Sequence, residues 1–308
     1  MARIVIPEFM DERAVAQLAA VHDVVHDATL VRDPTRLQVE AASADALIVR
    51  NVTQVRGALL AAMVRCTVVG RLGVGLDNID VDACAARGVA VIPATGANAL
   101  SVAEYVIAAA MMLLRGAYGS SADTAAGRWP RPALSNGREI AGKTLGLVGF
   151  GSIGQLTAKL AKAVGMRAVA FDPALPSGHA AYADAGVEPV ALDALVAAAD
   201  VISLHVPLVD ATRGLFNASR IAAMKRGAIL VNTARGGIVD EAAVAAALHS
   251  GHLGGAALDV FAVEPLPADN PFAGCPNLLL TPHVAGVSAE SNERVSFLIA
   301  EKVLAALR

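Results

Sequence analysis

Residues 145–172 constrain the fold of this chain more than any other stretch. An apolar run, Leu145-Gly146-Leu147-Val148, leads into Gly149-Phe150-Gly151-Ser152-Ile153-Gly154. An Ala-rich run with apolar periodicity follows, and a second apolar run ends in Asp172. Strand, glycine turn, helix and strand in that order predict a parallel βαβ unit. Each glycine has its own task. Gly149 permits a tight turn, Gly151 lets the backbone approach a pyrophosphate, and Gly154 lets the helix lie close to the sheet. Ser152 and Ile153 open the helix, where unpaired N–H groups and the helix dipole favour an anion. Asp172 stands 18 residues after Gly154, near the spacing of an acid that binds the adenosine ribose hydroxyls. A purely structural turn would leave Asp172 unexplained. The stretch therefore predicts a dinucleotide site. Because a carboxylate there repels a 2′-phosphate, NAD is expected rather than NADP.

The same alternation extends along the whole chain. Strand-like runs occur at 3–7, 23–26, 46–49, 67–70 and 89–92, and again at 201–206, 228–232, 256–260 and 278–281. Helical patterns lie between most of them, at 12–20, 81–87, 192–199, 219–224 and 241–250. Ser101, with Glu104 three residues on, reads as a capping box opening a long helix over 102–115, with a second helical stretch towards Trp129. A last helix, 289–308, has no strand to follow and is expected to pack back on the first segment, making it discontinuous in sequence. Hydrophobic residues make up 55% of the chain but aromatics only 4%, so Ala, Val and Leu must build an interior that lets helices approach sheets closely.

Composition also excludes partners. The net charge is −3 with no long basic run, so nucleic acid is not expected. Cys66, Cys84 and Cys275 show neither a disulfide framework nor a metal-ligand spacing. No metal is expected. The start reads as a strand that carries charge by Glu8 rather than as a signal peptide, and the apolar run over 106–114 is too short to span a bilayer. No membrane partner and a cytoplasmic location are the corresponding expectations.

In a doubly wound sheet, chemistry gathers beyond the carboxyl ends of the strands. The polar groups there are His205 with Pro207, Thr233-Ala234-Arg235-Gly236-Gly237, Asp259 with Glu264, and Pro282-His283. Interconverting an alcohol and a ketone by hydride transfer needs a base near neutral pH and a cation to orient the substrate. His283 is the candidate base, Glu264 its hydrogen-bond partner, and the forked guanidinium of Arg235 the carboxylate clamp.

At these residues the chain resembles the D-isomer-specific 2-hydroxyacid dehydrogenases over essentially its whole length. The shared motifs are Gly70-Arg71-x-Gly73-x-Gly75-x-Asp77-Asn78, the Gly149–Gly154 turn, Asn232-Thr233-Ala234-Arg235-Gly236-Gly237-Ile238-Val239-Asp240, Ala257-Leu258-Asp259-Val260-Phe261-x-x-Glu264-Pro265 and Thr281-Pro282-His283. The resemblance implies an enzyme with catalytic roles at Arg235, Glu264 and His283. Related formate dehydrogenases carry Gln where Glu264 stands, which argues against that activity. Cofactor contacts are implied for Gly149, Gly151, Ser152, Ile153, Gly154, Asp172, His205, Val206, Pro207, Thr233, Ala234, Arg235, Asp259, His283, Ala285 and Gly286. Substrate contacts are implied for Arg50, Arg71, the backbone of Val74 and Gly75, Arg235 and His283. The implied fold is α/β and two-lobed, a Rossmann NAD-binding domain (99–282) inserted in a flavodoxin-like substrate/catalytic domain (1–98 and 283–308). A cleft between the lobes and a homodimer formed through the cofactor lobe are implied as well.

Within that family, Glu8-Phe9-Met10-Asp11-Glu12, Arg50-Asn51-x-Thr53 and Pro93-Ala94-Thr95-Gly96-Ala97-Asn98 place the resemblance on the sulfolactate and 3-phosphoglycerate dehydrogenase branch. The substrate is accordingly expected to be a small 2-hydroxy acid with two anionic ends, (S)-sulfolactate first. 3-Phosphoglycerate and a glyoxylate or hydroxypyruvate reductase activity are the alternatives. A non-catalytic NAD sensor, akin to corepressors of this fold, is a different class. The complete Arg–Glu–His set counts against it.

Overall fold

The computed structural model describes residues 1–308. By contacts the chain forms two units, Met1–Asn98 with Val287–Arg308, and Ala99–Gly286.

The first unit holds β1 (Arg3–Ile6), α1 (Glu12–Ala19), β2 (Asp23–His26), α2 (Pro34–Ala42), β3 (Ala46–Val49), α3 (Gly57–Ala62), β4 (Val68–Arg71), α4 (Val81–Ala86) and β5 (Ala90–Pro93). All five strands are parallel, in the order β2-β1-β3-β4-β5, which is the flavodoxin-like order. The switch point lies between β1 and β3, so Glu8 and Arg50 follow the two strands that flank it. Side chains alternate between two apolar layers, as a pleated strand requires. Val5, Leu47, Val49 and Val69 face one layer, whereas Ile4, Ile6, Ile48 and Val68 face the other. The second layer is completed from far along the sequence by Val295, Ile299, Ala300 and Val303.

The second unit begins with α5 (Ala99–Arg115) and α6 (Ser121–Ala125). It continues through β6 (Thr144–Val148), α7 (Ser152–Ala163), β7 (Arg167–Phe171), α8 (Ala180–Ala185), β8 (Glu188–Pro189), α9 (Leu192–Ala198) and β9 (Val201–Leu204). It closes with α10 (Ala218–Ala222), β10 (Ile229–Asn232), α11 (Glu241–His249), β11 (Gly255–Leu258) and β12 (Leu278–Leu280). Its parallel sheet runs β12-β11-β10-β9-β6-β7-β8, the doubly wound dinucleotide-binding order with a seventh strand, and the switch lies between β6 and β9. Both faces are covered. Ile202, Leu204 and Leu230 meet one apolar layer, while Leu145, Leu147, Ile229 and Val231 meet the layer formed by α5 and α7. Small residues set the spacing. A Cβ on Gly146 would fall 2.5 Å from Leu195 and 2.9 Å from Ala199, so α9 packs directly on the backbone of β6. α7 buries Gly154, Thr157, Ala158 and Ala161, one face of a helix at the expected spacing.

α12 (Ala289–Ala306) returns to the first unit. The return falls at Val287 rather than at the expected 283, so His283 belongs to the second unit. The physical reason is the Asp259 carboxylate, which binds the N–H groups of Val284 and Ala285 and ties that segment to β11. A second difference concerns α5. It starts at Ala99, not after Ser101, and Ala99 is itself buried. Starting earlier buries that residue and places Ser101 inside the first turn. The capping box that does form is at Ser288 and Ser291, at the head of α12. The stretch towards Trp129 is helical only to Ala125. No single helix is long and apolar enough to cross a membrane.

Candidate active site

The turn after β6 is shaped by what surrounds it. Gly149 has φ +100°, and a Cβ there would lie 2.6 Å from the His205 carbonyl. A Cβ on Gly154 would lie 2.4 Å from the Gly149 carbonyl oxygen. Neither position tolerates a side chain. Gly151 differs: it is the N-cap of α7, makes no side-chain capping bond, and a Cβ there meets no heavy atom within 4 Å. The head of α7 is therefore open at Gly151, and its first N–H groups, from Ser152 and Ile153 onward, have no capping side chain. Beyond β7, Asp172 accepts from the Phe150 N–H (2.7 Å) and the Ala174 N–H (2.8 Å). Each oxygen keeps acceptor capacity for a further donor. After β10, Thr233 Oγ1 is buried without a hydrogen-bond partner. These residues fit NAD, with the pyrophosphate at the head of α7 and a ribose at Asp172.

His205 follows β9 at the switch point. Its N–H donates to the Val148 carbonyl (2.7 Å), and its Nε2 pairs with the buried Ser203 hydroxyl at 3.0 Å. Burial pushes the imidazole down to about 4, so the ring is neutral near pH 7. It packs against the glycine turn as an uncharged group. Val206 behind it is buried and Pro207 is exposed.

His283 Nδ1 lies 2.8 Å from Glu264 Oε2, and the other Glu264 oxygen accepts the Phe261 N–H at 3.0 Å. A carboxylate can only accept, so Nδ1 carries the proton and Nε2 presents its lone pair. His283 has φ +56°, a left-handed conformation that costs a non-glycine residue on the order of 1–3 kcal/mol and persists only where its surroundings fix it. Asp259, 1% exposed, does the fixing. Its carbonyl accepts the His283 N–H (2.8 Å), and its carboxylate accepts the N–H groups of Val284 and Ala285 (2.8 Å each) and the Thr281 hydroxyl (2.6 Å). Since Thr281 donates to Asp259, the Tyr105 hydroxyl, 2.6 Å from Thr281 Oγ1, donates to Thr281. A chain of hydrogen bonds thus runs from α5 to the backbone that carries His283 and Ala285. Gly286 ends that segment.

Arg235 sits on the turn after β10. Buried Asn232 shapes this turn, accepting from the Ala234 N–H (3.1 Å) and donating to the Arg235 carbonyl (3.0 Å). Arg235 Nη1 donates to the Ala234 carbonyl at 2.6 Å. A Cβ on Gly236 would fall 1.7 Å from the Phe261 carbonyl oxygen. Only glycine lets the Arg235 turn press on the segment that holds Glu264.

In the first unit, Arg50 and Arg71 leave neighbouring strands, with Val49 paired to Arg71 in the register. Arg50 Nη2 donates to Asn292 Oδ1 at 2.8 Å. Arg71 Nη1 donates to the Leu72 carbonyl (2.8 Å), and the guanidinium lies where a Cβ on Gly73 would be, 1.7 Å from Nη1. Val74, exposed, and Gly75, part-exposed, follow on the same loop.

The sequence profile described as D-isomer specific 2-hydroxyacid dehydrogenase, NAD binding domain, matches residues 107–285. The chain belongs to the D-isomer-specific 2-hydroxyacid dehydrogenase family. It is thus an oxidoreductase, an NAD-dependent 2-hydroxyacid dehydrogenase. Among relatives of this dehydrogenase, the (S)-sulfolactate dehydrogenase of Chromohalobacter salexigens is 53% identical over 308 residues, covering 100% of this chain and 99% of the relative. The D-3-phosphoglycerate dehydrogenase of Mycobacterium leprae is 42% identical over 96% of this chain, which spans only 56% of that relative. The crystal structure of the TT0316 protein from Thermus thermophilus superposes with a TM-score of 0.88 at 34% identity, covering 99% of this chain and 96% of that one.

Several participants were not legible beforehand. Tyr105, Ser203 and Asn292 reach the dehydrogenase's candidate residues only through contacts, and Tyr105 lies 176 residues from Thr281. Glu8 carried a signal, a carboxylate just past the first strand, but its role in holding the Arg50 loop needed coordinates.

Proposed function

We propose that this enzyme interconverts (S)-sulfolactate and 3-sulfopyruvate, as a cytoplasmic homodimer, with Arg235, Glu264 and His283 as its catalytic residues. The observation that carries the proton chemistry is the 2.8 Å His283–Glu264 pair, which leaves Nε2 as the base. Bound NAD supplies the hydride acceptor for C2. His283 Nε2 takes the proton from the C2 hydroxyl, and Glu264 stabilises the imidazolium that results. Arg235 holds the substrate carboxylate with two of its N–H groups and, being cationic, polarises the C2 carbonyl in the return direction. The Val74 and Gly75 amides assist at the carboxylate. Arg50 and Arg71 take the remote sulfonate.

Support for the dianionic substrate comes from the full-length relative named for sulfolactate and from two guanidinium groups at adjacent strand ends in the first unit. Carboxylate binding alone needs only one cation. D-type geometry corresponds to (S)-sulfolactate because the sulfonate-bearing carbon outranks the carboxylate. Support for a dimer comes from the outer face of α5, where Leu100, Met111 and Met112 are exposed. A 3-phosphoglycerate activity is the second reading, favoured by the relative that matches 96% of this chain.

The test is a panel of (S)-sulfolactate, 3-phosphoglycerate and (R)-lactate with NAD, on the parent and on Arg50→Met and Arg71→Met. Charge-assisted contacts contribute about 1.5–3 kcal/mol each, so each substitution should lower kcat/KM on the preferred dianion about 10–100-fold. Equal turnover of lactate, or equal losses on all three acids, would overturn the dianion reading.

A further inference from the structure

Four arginines of the first unit are matched to carboxylates. Arg3 bridges Asp23 and Glu40, Arg13 bridges Asp11 and Glu293, Arg36 meets Asp27, and Arg65 meets Asp45. Arg50 is held differently. Its Nη2 donates to the neutral amide oxygen of Asn292 at 2.8 Å, and its guanidinium lies over the Phe9 ring, 5.6 Å from the centroid. A carboxylate is nearby, but it is otherwise engaged. Glu8 uses its two oxygens to accept the N–H groups of Arg50 (2.9 Å), Val52 (3.0 Å) and Thr53 (3.0 Å). Asn78 holds the same loop from the other side through the carbonyls of Arg50 and Thr53. The loop is thus rigid where Arg50 leaves it, and the Thr53 hydroxyl is buried in it without a partner.

Removing a guanidinium part-way from water without a carboxylate bonded to it is unfavourable, and burial lowers the pKa of Arg50, the nearby Glu8 charge offsetting part of that. The aromatic face offsets some of this cost. One of five N–H donors is given to Asn292, leaving a forked edge suited to an oxyanion. The position matches the chemistry, because Arg50 follows β3 at the β1/β3 switch point where ligands bind in this sheet order. Asn292 is fixed in turn. It lies in the first turns of α12, just after the Ser288–Ser291 capping box, and its own N–H donates to the Ser288 carbonyl at 3.0 Å.

We propose that Asn292 is a specificity-determining positioning residue: with Phe9 it fixes the pose of the Arg50 guanidinium while leaving it without a directly bonded carboxylate, so that the remote anion of the substrate provides the contact counter-charge. The proposal rests on the dianionic-substrate reading above. It makes the choice of amide over acid the deciding feature. An aspartate in the same place would hold the guanidinium at least as firmly but would neutralise it.

Asn292→Asp separates these roles, since a purely structural contact would survive it as an ion pair. The measurements are KM and kcat for 3-sulfopyruvate and for glyoxylate with NADH, KM for NADH, and thermal midpoint, on Asn292→Asp, Asn292→Ala and Arg50→Met. Asn292→Asp should fold with a midpoint no lower than the parent's. Its preference for 3-sulfopyruvate over glyoxylate, as a kcat/KM ratio, should fall at least about tenfold, mainly through KM for 3-sulfopyruvate. Asn292→Ala should show a smaller fall in the same ratio. If Asn292→Asp keeps the parental ratio while Arg50→Met loses it, the role of Asn292 is overturned and the dianion reading stands. If Asn292→Asp weakens both acids and NADH alike, the contact is structural and the proposal is wrong. If Arg50→Met itself keeps the ratio, the dianion reading fails and this inference with it.

Discussion

His283 presents one nitrogen to Glu264 and the other outward, and the chemistry depends on that division. His283→Ala should lower kcat by roughly 10²–10⁴ while leaving NAD affinity, read by calorimetry, close to the parent's. Glu264→Gln keeps an acceptor for Nδ1–H but removes the charge that stabilises the imidazolium. A smaller loss in kcat, with KM for NAD unaffected, is the expected outcome. His205 gives a residue-level prediction of another kind. Its folded-state pKa is depressed to about 4 from an unfolded value near 6.5. Between those values the unfolded chain binds a proton that the folded chain does not, so stability falls as pH drops from about 6.5 to about 4. His205→Asn should flatten the pH dependence of the urea midpoint across that window. An unchanged slope would show that another group titrates there.

At the scale of elements, what the sequence revealed was local and periodic. β3 falls where the apolar run predicts it, because a short continuous apolar run between turn residues leaves little freedom, and β2 falls where its paired valines predict it. β8, only Glu188–Pro189, and α2, α3 and α8 were not distinguished, because two residues, or a short helix that buries only one or two side chains, carry too little pattern. Ser101 and Glu104 have the letters of a capping box, yet the helix starts at Ala99, so burial overrode a local signal. The glycine turn was readable in full since its requirements lie within six residues. The Arg50–Asn292 contact spans 242 positions, and nothing in the sequence links them. α5 carries the next prediction. Tyr105→Phe removes the first donor of the chain that reaches Asp259. A hydrogen bond of this kind contributes about 0.5–1.5 kcal/mol, so kcat should fall about 2–10-fold in single-turnover absorbance measurements. An unaltered rate would mean that Asp259 alone sets the His283 backbone.

For the whole molecule, the notable property is that the first unit is built from both ends of the sequence. Ile299, fully buried against β4 where Gly70 would clash with its methyl if it bore a Cβ, anchors the returning helix. Ile299→Ala should destabilise the first unit by about 2–5 kcal/mol. Amide exchange should report this over β1, β3, β4 and α1, with smaller changes in β6 and β10 of the second unit. Uniform deprotection of both units would show that they unfold as one.

The returning helix also has a consequence for biosynthesis. A ribosome releases residues 1–98 long before α12 exists, and at about 5–20 residues per second the delay is on the order of 10–40 s. During that interval Ile4, Ile6, Ile48 and Val68 lack the cover that Val295, Ile299, Ala300 and Val303 later provide. The second unit, contiguous from Ala99 to Gly286, has no such wait. Nascent chains stalled before residue 287 should therefore recruit holdase chaperones to their first hundred residues, and do so less once the helix has emerged.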